Sequence, residues 1–246
     1  MSNSAEVALN QEPKNSDPGK FIAEYHEKSL LYQNFCSTMQ NLLINLLDNN
    51  GFKYQISMRL KSADSIREKM IRNKSRGKIY HRLSDMTDLA GVRIVFYLES
   101  DKRRFIDLLF REFSPDKMKM EEHHKETGYR SIHIIVQFGR KRLALNEYRH
   151  FAGLNCEIQL TSALYQAWSE VEHDIFYKQD LYLKAEDWEA MHILRKEMET
   201  ALKSHIEQAS EILESVAEKI EQLRMQNRGI QKLGDPDLDR PNPPEQ

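Results

Sequence analysis

No run of 18 apolar residues occurs anywhere in the chain, and residues 1–19 lack the apolar stretch of a signal peptide. Neither a transmembrane helix nor a secretory leader is therefore expected, and the reading is a soluble, cytoplasmic protein with no membrane partner. Cysteine is scarce as well. Cys36 and Cys156 are the two present, both in apolar patterns, and they read as small core residues without a disulfide between them. There is no Gly-Lys-Ser/Thr phosphate loop, no internal repeat and no histidine spacing that suits zinc.

At 246 residues and 40% apolar, the chain can bury one substantial core. Residues 1–19 and 229–246 are polar and poor in large apolar side chains, so they read as disordered tails around a single domain at 20–228. The net charge of −2 hides an asymmetry. From Lys53 to Arg82 there are ten Lys/Arg against Asp64 and Glu68, whereas from Glu186 to Gln246 fourteen acids face eight bases. A compact basic segment suits a polyphosphate or an RNA backbone, and a solvated cationic face is the plain alternative.

Apolar periodicity gives the order of elements. A helix is predicted from Phe21 to Leu46, ending before Asn49-Asn50-Gly51, then a strand at Ile56–Leu60, a helix from Ala63 and a strand at Val92–Leu98. A helix at Lys102–Glu112 follows, with extended segments at Lys117–Glu122, Ser131–Phe138 and Leu154–Leu160. The period then changes to 3.6, with one stripe from Leu164 to Ile175 and a long one from Trp188 to Leu223. The predicted fold class is α/β, a mixed sheet of about five strands flanked by helices with a long C-terminal helix. That acidic last helix is expected to pack within the chain, with a second subunit or another partner as the alternative.

The strands also sort the chemistry. In Leu154–Leu160, Cys156 and Ile158 alternate with Glu157 and Gln159, and in the preceding strand Ile132, Ile134 and Val136 alternate with Ser131 and His133. If the two strands are neighbours, one polar floor carries Tyr129, His133, Glu157 and Gln159, although a water-facing sheet surface gives the same pattern. Asp88 falls in the turn before the Val92 strand, where a turn or N-cap residue is as natural as half of a metal pair. Two carboxylates meeting from separate elements repel unless a cation separates them, and Mg²⁺ commonly takes one or two carboxylates plus substrate phosphates. Arg59 and Lys61 share one strand face, and Ser65, Lys69 and Arg72 follow at helical spacing, so their donors converge near a helix N-terminus that already attracts anions. On the helix after Glu157, Gln166, Glu170, His173 and Tyr177 form a polar stripe, with Glu170 read as solvated.

These motifs, over about Phe21 to Arg224, resemble in their order the synthetase domain of the RelA/SpoT family. The segments Arg59-x-Lys61-x-x-x-Ser65-Ile66-x-x-Lys69, Asp88-x-x-Gly91-x-Arg93, Gly128-Tyr129-Arg130-Ser131-x-His133 and Glu157-Ile158-Gln159 carry it. The resemblance implies a nucleotidyltransferase-like fold and transfer of pyrophosphate from ATP to a 3′-hydroxyl, that of GDP or GTP, making an alarmone. It further implies that Asp88 and Glu157 hold Mg²⁺ and carry the chemistry, and that Arg59, Lys61, Ser65, Lys69 and Arg93 grip ATP. Lys125, Tyr129, His133, Gln159 and Gln166 would hold the acceptor, Tyr129 by stacking on its base.

Two departures bear on the acceptor. Thr161 stands where the family usually has an arginine, and Gln166 where many alarmone synthetases have Asn or Asp. Both give weight to the family's toxic branch, in which tRNA accepts the pyrophosphate and an antitoxin accompanies the enzyme. Under that reading the basic run Lys69 to Arg82 and the cluster Arg140-Lys141-Arg142 hold an RNA backbone. A catalytically idle nucleotide-binding module is the third reading. The few dozen residues before Arg59 are too short for the hydrolase half of long bifunctional relatives, so another protein is expected to degrade the product.

Overall fold

The computed structural model describes residues 17–124, 130–176 and 187–233. Its first helix, α1 (Pro18–Glu27), starts where Asp17 accepts the Gly19 N–H at 2.9 Å and Pro18 supplies a preset first turn. The predicted first helix is in fact two, because the chain bends at Lys28 before α2 (Ser29–Asn49). Gly51, at φ +69°, takes the left-handed conformation that turns the chain away from α2. Along α2, Phe35, Met39, Leu43 and Leu47 recur every four residues and are fully buried, each contributing about 1.5 to 3 kcal/mol.

There follow β1 (Tyr54–Leu60), α3 (Ala63–Lys74), β2 (Ala90–Phe96), α4 (Glu99–Glu112), β3 (Met118–His124) and β4 (Arg130–Val136). The short α5 (Arg140–Leu143) then precedes β5 (Cys156–Ser162) and α6 (Ala163–Phe176). The sheet order is β1-β2-β5-β4-β3, with β2 and β5 parallel and the other neighbours antiparallel. This is the mixed five-stranded α/β sheet that the periodicity predicts. Its strand boundaries differ by about two residues from expectation: β2 ends at Phe96 because Leu98 already serves as the N-cap of α4.

One face of the sheet is apolar and covered. Ala90, Val92, Ile94 and Phe96 of β2 and Cys156, Ile158 and Leu160 of β5 are buried against α2 and α4, and Phe52, Phe96 and Phe105 pack with ring centroids 5.4–5.8 Å apart. Cys36 and Cys156 are both free and buried in this core, as expected. The opposite face carries the polar alternates and is where the chemistry gathers.

The C-terminal helices are α7 (Trp188–Ala201) and α8 (Glu207–Leu233), joined without a break by a π turn at Leu202–Ile206. Leu194, Met198, Leu202 and Ile206 recur every four residues, slower than an α-helix turns, and the wider π turn absorbs the difference. Leu202 thereby stays fully buried against Trp168 of α6, and Glu214 accepts the Ser100 N–H at 2.8 Å at the start of α4. This part packs within the chain, while Ile212, Val216 and Leu223 on the outer side of α8 are exposed. α8 runs five residues past the predicted domain end at 228; the rest of both predicted tails lies outside the described residues. Among the described residues no helix is long and apolar enough to cross a membrane.

Candidate functional site

The register of the central strands builds the site. Arg59, Gly91, Glu157 and Ile135 lie side by side across β1, β2, β5 and β4, and one step along, Ser57, Arg93, Gln159 and His133 form the next row. Both rows share a face, because side chains two apart on a strand point the same way. Gly91 leaves a gap between Arg59 and Glu157: a Cβ there would meet the two flanking backbones at 3.6–3.7 Å, and anything larger would fill the space. The result is a cleft of about 340 Å³ lined by Arg59, Lys69, Asp88, Gly91, Arg93, His133, Glu157 and Gln159, with Ser57 and Val92.

Asp88 sits in the turn before β2, as predicted, and is mostly buried. Its Oδ2 accepts from Lys61 Nζ at 2.9 Å and from Lys69 Nζ at 2.7 Å, while its Oδ1 is buried with no hydrogen-bond partner among the described residues. Burial pushes this carboxyl upward, but the hydrogen bonds and charge of Lys69, then Lys61, outweigh it and hold Asp88 below the usual carboxylate range. Glu157 is engaged on both oxygens, Oε1 by His133 Nδ1 at 3.1 Å and Oε2 by Gln159 Nε2 at 2.6 Å. A carboxylate only accepts, so the imidazole proton at that contact is on Nδ1; His133 Nε2 lies 3.3 Å from Ser131 Oγ. Burial raises Glu157 too, and so does the nearby charge of Asp88, yet His133 and then Gln159 leave it lowered. The two carboxylates therefore sense each other across one cleft.

The other predicted positions divide. Arg59, Lys69, Arg93, His133 and Gln159 line the cleft. Among the described residues the Lys61 ammonium reaches only Asp88, and Ser65 is committed to the α3 cap, its N–H on Ser62 Oγ at 3.2 Å and its Oγ 2.9 Å from the Ser62 hydroxyl. Gln166 is not in the lining and donates to Glu170 Oε1 at 2.6 Å. Lys125, Tyr129 and Tyr177 lie outside the described residues. Ser57, which no motif includes, also lines the cleft; its sequence signal is its place two residues before Arg59 on the same strand face. Glu170 is exposed, as expected, and also takes Arg93 Nη1 at 3.0 Å, a contact with no local signature.

Nothing among the described residues groups three His, Cys, Asp or Glu side chains around one metal position. Two carboxylates, one with a buried unpartnered oxygen, match instead the sparse protein ligation that Mg²⁺ uses when phosphates and water complete its shell. The cluster Arg140-Lys141-Arg142 lies elsewhere, lining a separate cleft of about 770 Å³ at the end of α4. There Arg142 pairs with Glu112 and its guanidinium lies 5.6 Å from the Phe113 ring and 5.9 Å from that of Phe138, which gives it a structural task. That cleft is the larger, but it holds neither Asp88 nor Glu157.

Residues 58–182 match a family model described as "Region found in RelA / SpoT proteins". Two curated proteins of Bacillus subtilis (strain 168) are similar: the GTP pyrophosphokinase YwaC, 26% identical over 137 residues, and the GTP pyrophosphokinase YjbM, 29% identical over 126. The matches cover 54% and 50% of this chain, and 63% and 56% of those relatives, less than two thirds of either. Among solved structures, small alarmone synthetase 1 from Bacillus subtilis superposes with a TM-score of 0.59 at 19% identity, covering 81% of this chain and 98% of that one. That likeness is one of fold.

Proposed function

The chain belongs to the RelA/SpoT family, and on that premise we propose that it is an ATP-dependent pyrophosphokinase acting on the 3′-hydroxyl of GDP or GTP to make (p)ppGpp. The observation that carries this reading is the meeting of Asp88 and Glu157 in one cleft beside Lys69, Arg59 and Arg93. Supporting it, the two curated relatives are named GTP pyrophosphokinases.

In the reaction, the acceptor 3′-oxygen bonds to the β-phosphorus of ATP and the bond from that phosphorus to the α–β bridging oxygen breaks, releasing AMP. The hydroxyl proton goes to Glu157. Each of its oxygens already accepts one hydrogen bond, so a second lone pair on each is what remains for proton or metal. His133 and Gln159 keep the carboxylate ionised and aimed, and Arg59, Lys69 and Arg93 supply positive charge where the triphosphate would lie. Asp88 Oδ1 and Glu157 are the ligands this chain offers to Mg²⁺, which when bound neutralises phosphate charge. Lys61 and Lys69, both on Oδ2, would keep Asp88 ionised and leave Oδ1 to the ion.

The second reading, tRNA as acceptor, is favoured by one observation: Lys74, at the C-terminal end of α3, and Arg76 and Lys78 just beyond it are all exposed, on the helix that carries Lys69 and the turn after it. Incubating the protein with γ-labelled ATP, Mg²⁺ and, separately, GDP, GTP, ATP or deacylated tRNA separates the readings. Label on GDP or GTP is expected. Label on tRNA alone would replace the acceptor, and label on none would leave a nucleotide-binding module.

A further inference from the structure

The polar floor continues beyond the sheet. Gln166 Nε2 donates to Glu170 Oε1 at 2.6 Å, and Arg93 Nη1 donates to the same oxygen at 3.0 Å. Arg93 Nε in turn reaches Gln159 Oε1 at 3.3 Å, and Gln159 Nε2 reaches Glu157 Oε2 at 2.6 Å. One hydrogen-bonded chain therefore joins α6 to β2 and β5. We propose that Glu170 is a positioning residue for the transfer reaction, fixing the Arg93 guanidinium at the cleft and, through Arg93 and Gln159, holding the Glu157 carboxylate in place.

The inference rests on the pyrophosphokinase reading for the reaction, and on the hydrogen bonds for the role. Glu170 is 61% exposed on its side chain and is not among the residues that line the cleft, so its link to the cleft runs through Arg93. Arg93 does line it. A guanidinium is a rigid planar fork with five N–H donors; with Nε and Nη1 held, its orientation is set and the remaining donors are left for an anion. Without Glu170 the long 3.3 Å contact to Gln159 is the one remaining bond among the described residues that restrains the fork, and a bond of that length restrains it poorly.

Geometry and net charge predict opposite signs, which makes the proposal testable. As a mere negative charge beside a triphosphate site, Glu170 would weaken ATP binding, and its removal would tighten it. As a positioning residue, its removal loosens binding. Full-length protein is titrated with α,β-methylene-ATP and Mg²⁺ by calorimetry, and KM for ATP and kcat are measured alongside.

Glu170→Ala is expected to weaken analogue binding and raise KM for ATP about two- to fivefold, the size that a half-exposed ion pair carries, with the melting temperature unchanged. Glu170→Gln, which keeps the accepting oxygen and loses the charge, is expected to stay close to wild type. In an Arg93→Ala background, Glu170→Ala should add nothing. Unchanged or tighter binding in Glu170→Ala, or the same loss with Arg93 absent, would overturn the proposal. A wild type that binds the analogue but transfers nothing to any acceptor refutes the proposed activity instead, and the binding comparison still decides the role of Glu170.

Discussion

Lys69 Nζ lies 2.7 Å from Asp88 Oδ2, and Lys61 Nζ lies 2.9 Å from the same oxygen, so one carboxylate oxygen faces two ammonium groups while the other is buried and, among the described residues, unpartnered. The relationship links the segment expected to grip phosphate to the residue expected to bind metal. It leaves the cluster one positive charge in excess, a state suited to receiving a polyanion.

Replacing Asp88 by Asn removes the countercharge of both lysines. Transfer should be lost, and stability at pH 7 should fall by about 1 to 3 kcal/mol, the worth of hydrogen bonds to a charged group in a mostly buried setting. Because the folded state depresses this carboxyl, its contribution is complete above the unfolded value near 3.9 and disappears as pH falls through the lower folded value. The melting-temperature gap between wild type and Asp88→Asn should therefore narrow below about pH 4. A gap that stays constant from pH 7 to pH 3 would remove the ion pairs from the account.

Glu157→Gln should lower kcat by about 10²- to 10⁴-fold, the range of a positioned general base, with the circular dichroism spectrum unchanged. A variant that keeps near-full rate takes Glu157 out of the proton transfer.

His133→Ala tests what tunes that base. The hydrogen bond and charge of His133 head the influences that lower Glu157, so losing them should raise its pKa and move the acid limb of the kcat/KM profile to higher pH. A limb that moves to lower pH, or stays in place while the rate falls, would mean that His133 acts elsewhere.

Gly91 separates space from conformation, since it lies in regular β2 and not in a left-handed turn. Gly91→Ala should fold and retain ATP-analogue binding, its Cβ sitting at ordinary contact distance. Gly91→Leu should fold yet abolish binding by filling the gap between Arg59 and Glu157. Binding by the leucine variant equal to wild type, read by calorimetry, would show that nucleotide does not enter between these strands.

Charge reversal at Lys74 and Arg76 addresses the acceptor. If RNA accepts, the double Glu variant should lose transfer to tRNA and show a shallower salt dependence, because each phosphate contact contributes about one unit of slope. Equal loss with GDP as acceptor would assign those side chains to the nucleotide site.

Much of the fold was legible. The period of two in Cys156–Ser162 and Arg130–Val136 correctly separated Glu157, Gln159 and His133 from the core residues between them, since alternation is a local property of extended chain. Boundaries were less so: the bend at Lys28 interrupts an apolar stripe that continues across it, and periodicity cannot register a bend that preserves the stripe. The basic segment shows the same limit. Spacing aimed Lys61 and Lys69 toward a ligand, yet both long side chains bend to Asp88, 27 and 19 residues away.

The sequence by itself determined which side chains share a strand face and where the charge is concentrated, because both follow from neighbours along the chain. Only the tertiary structure decided that β5 enters between β2 and β4, bringing Glu157 beside Gly91 and within reach of His133 and the field of Asp88. It likewise decided that Glu170, 77 positions from Arg93, closes on that arginine. Strand order and side-chain pairing are set by how distant segments pack and neutralise one another, and no local pattern carries that information.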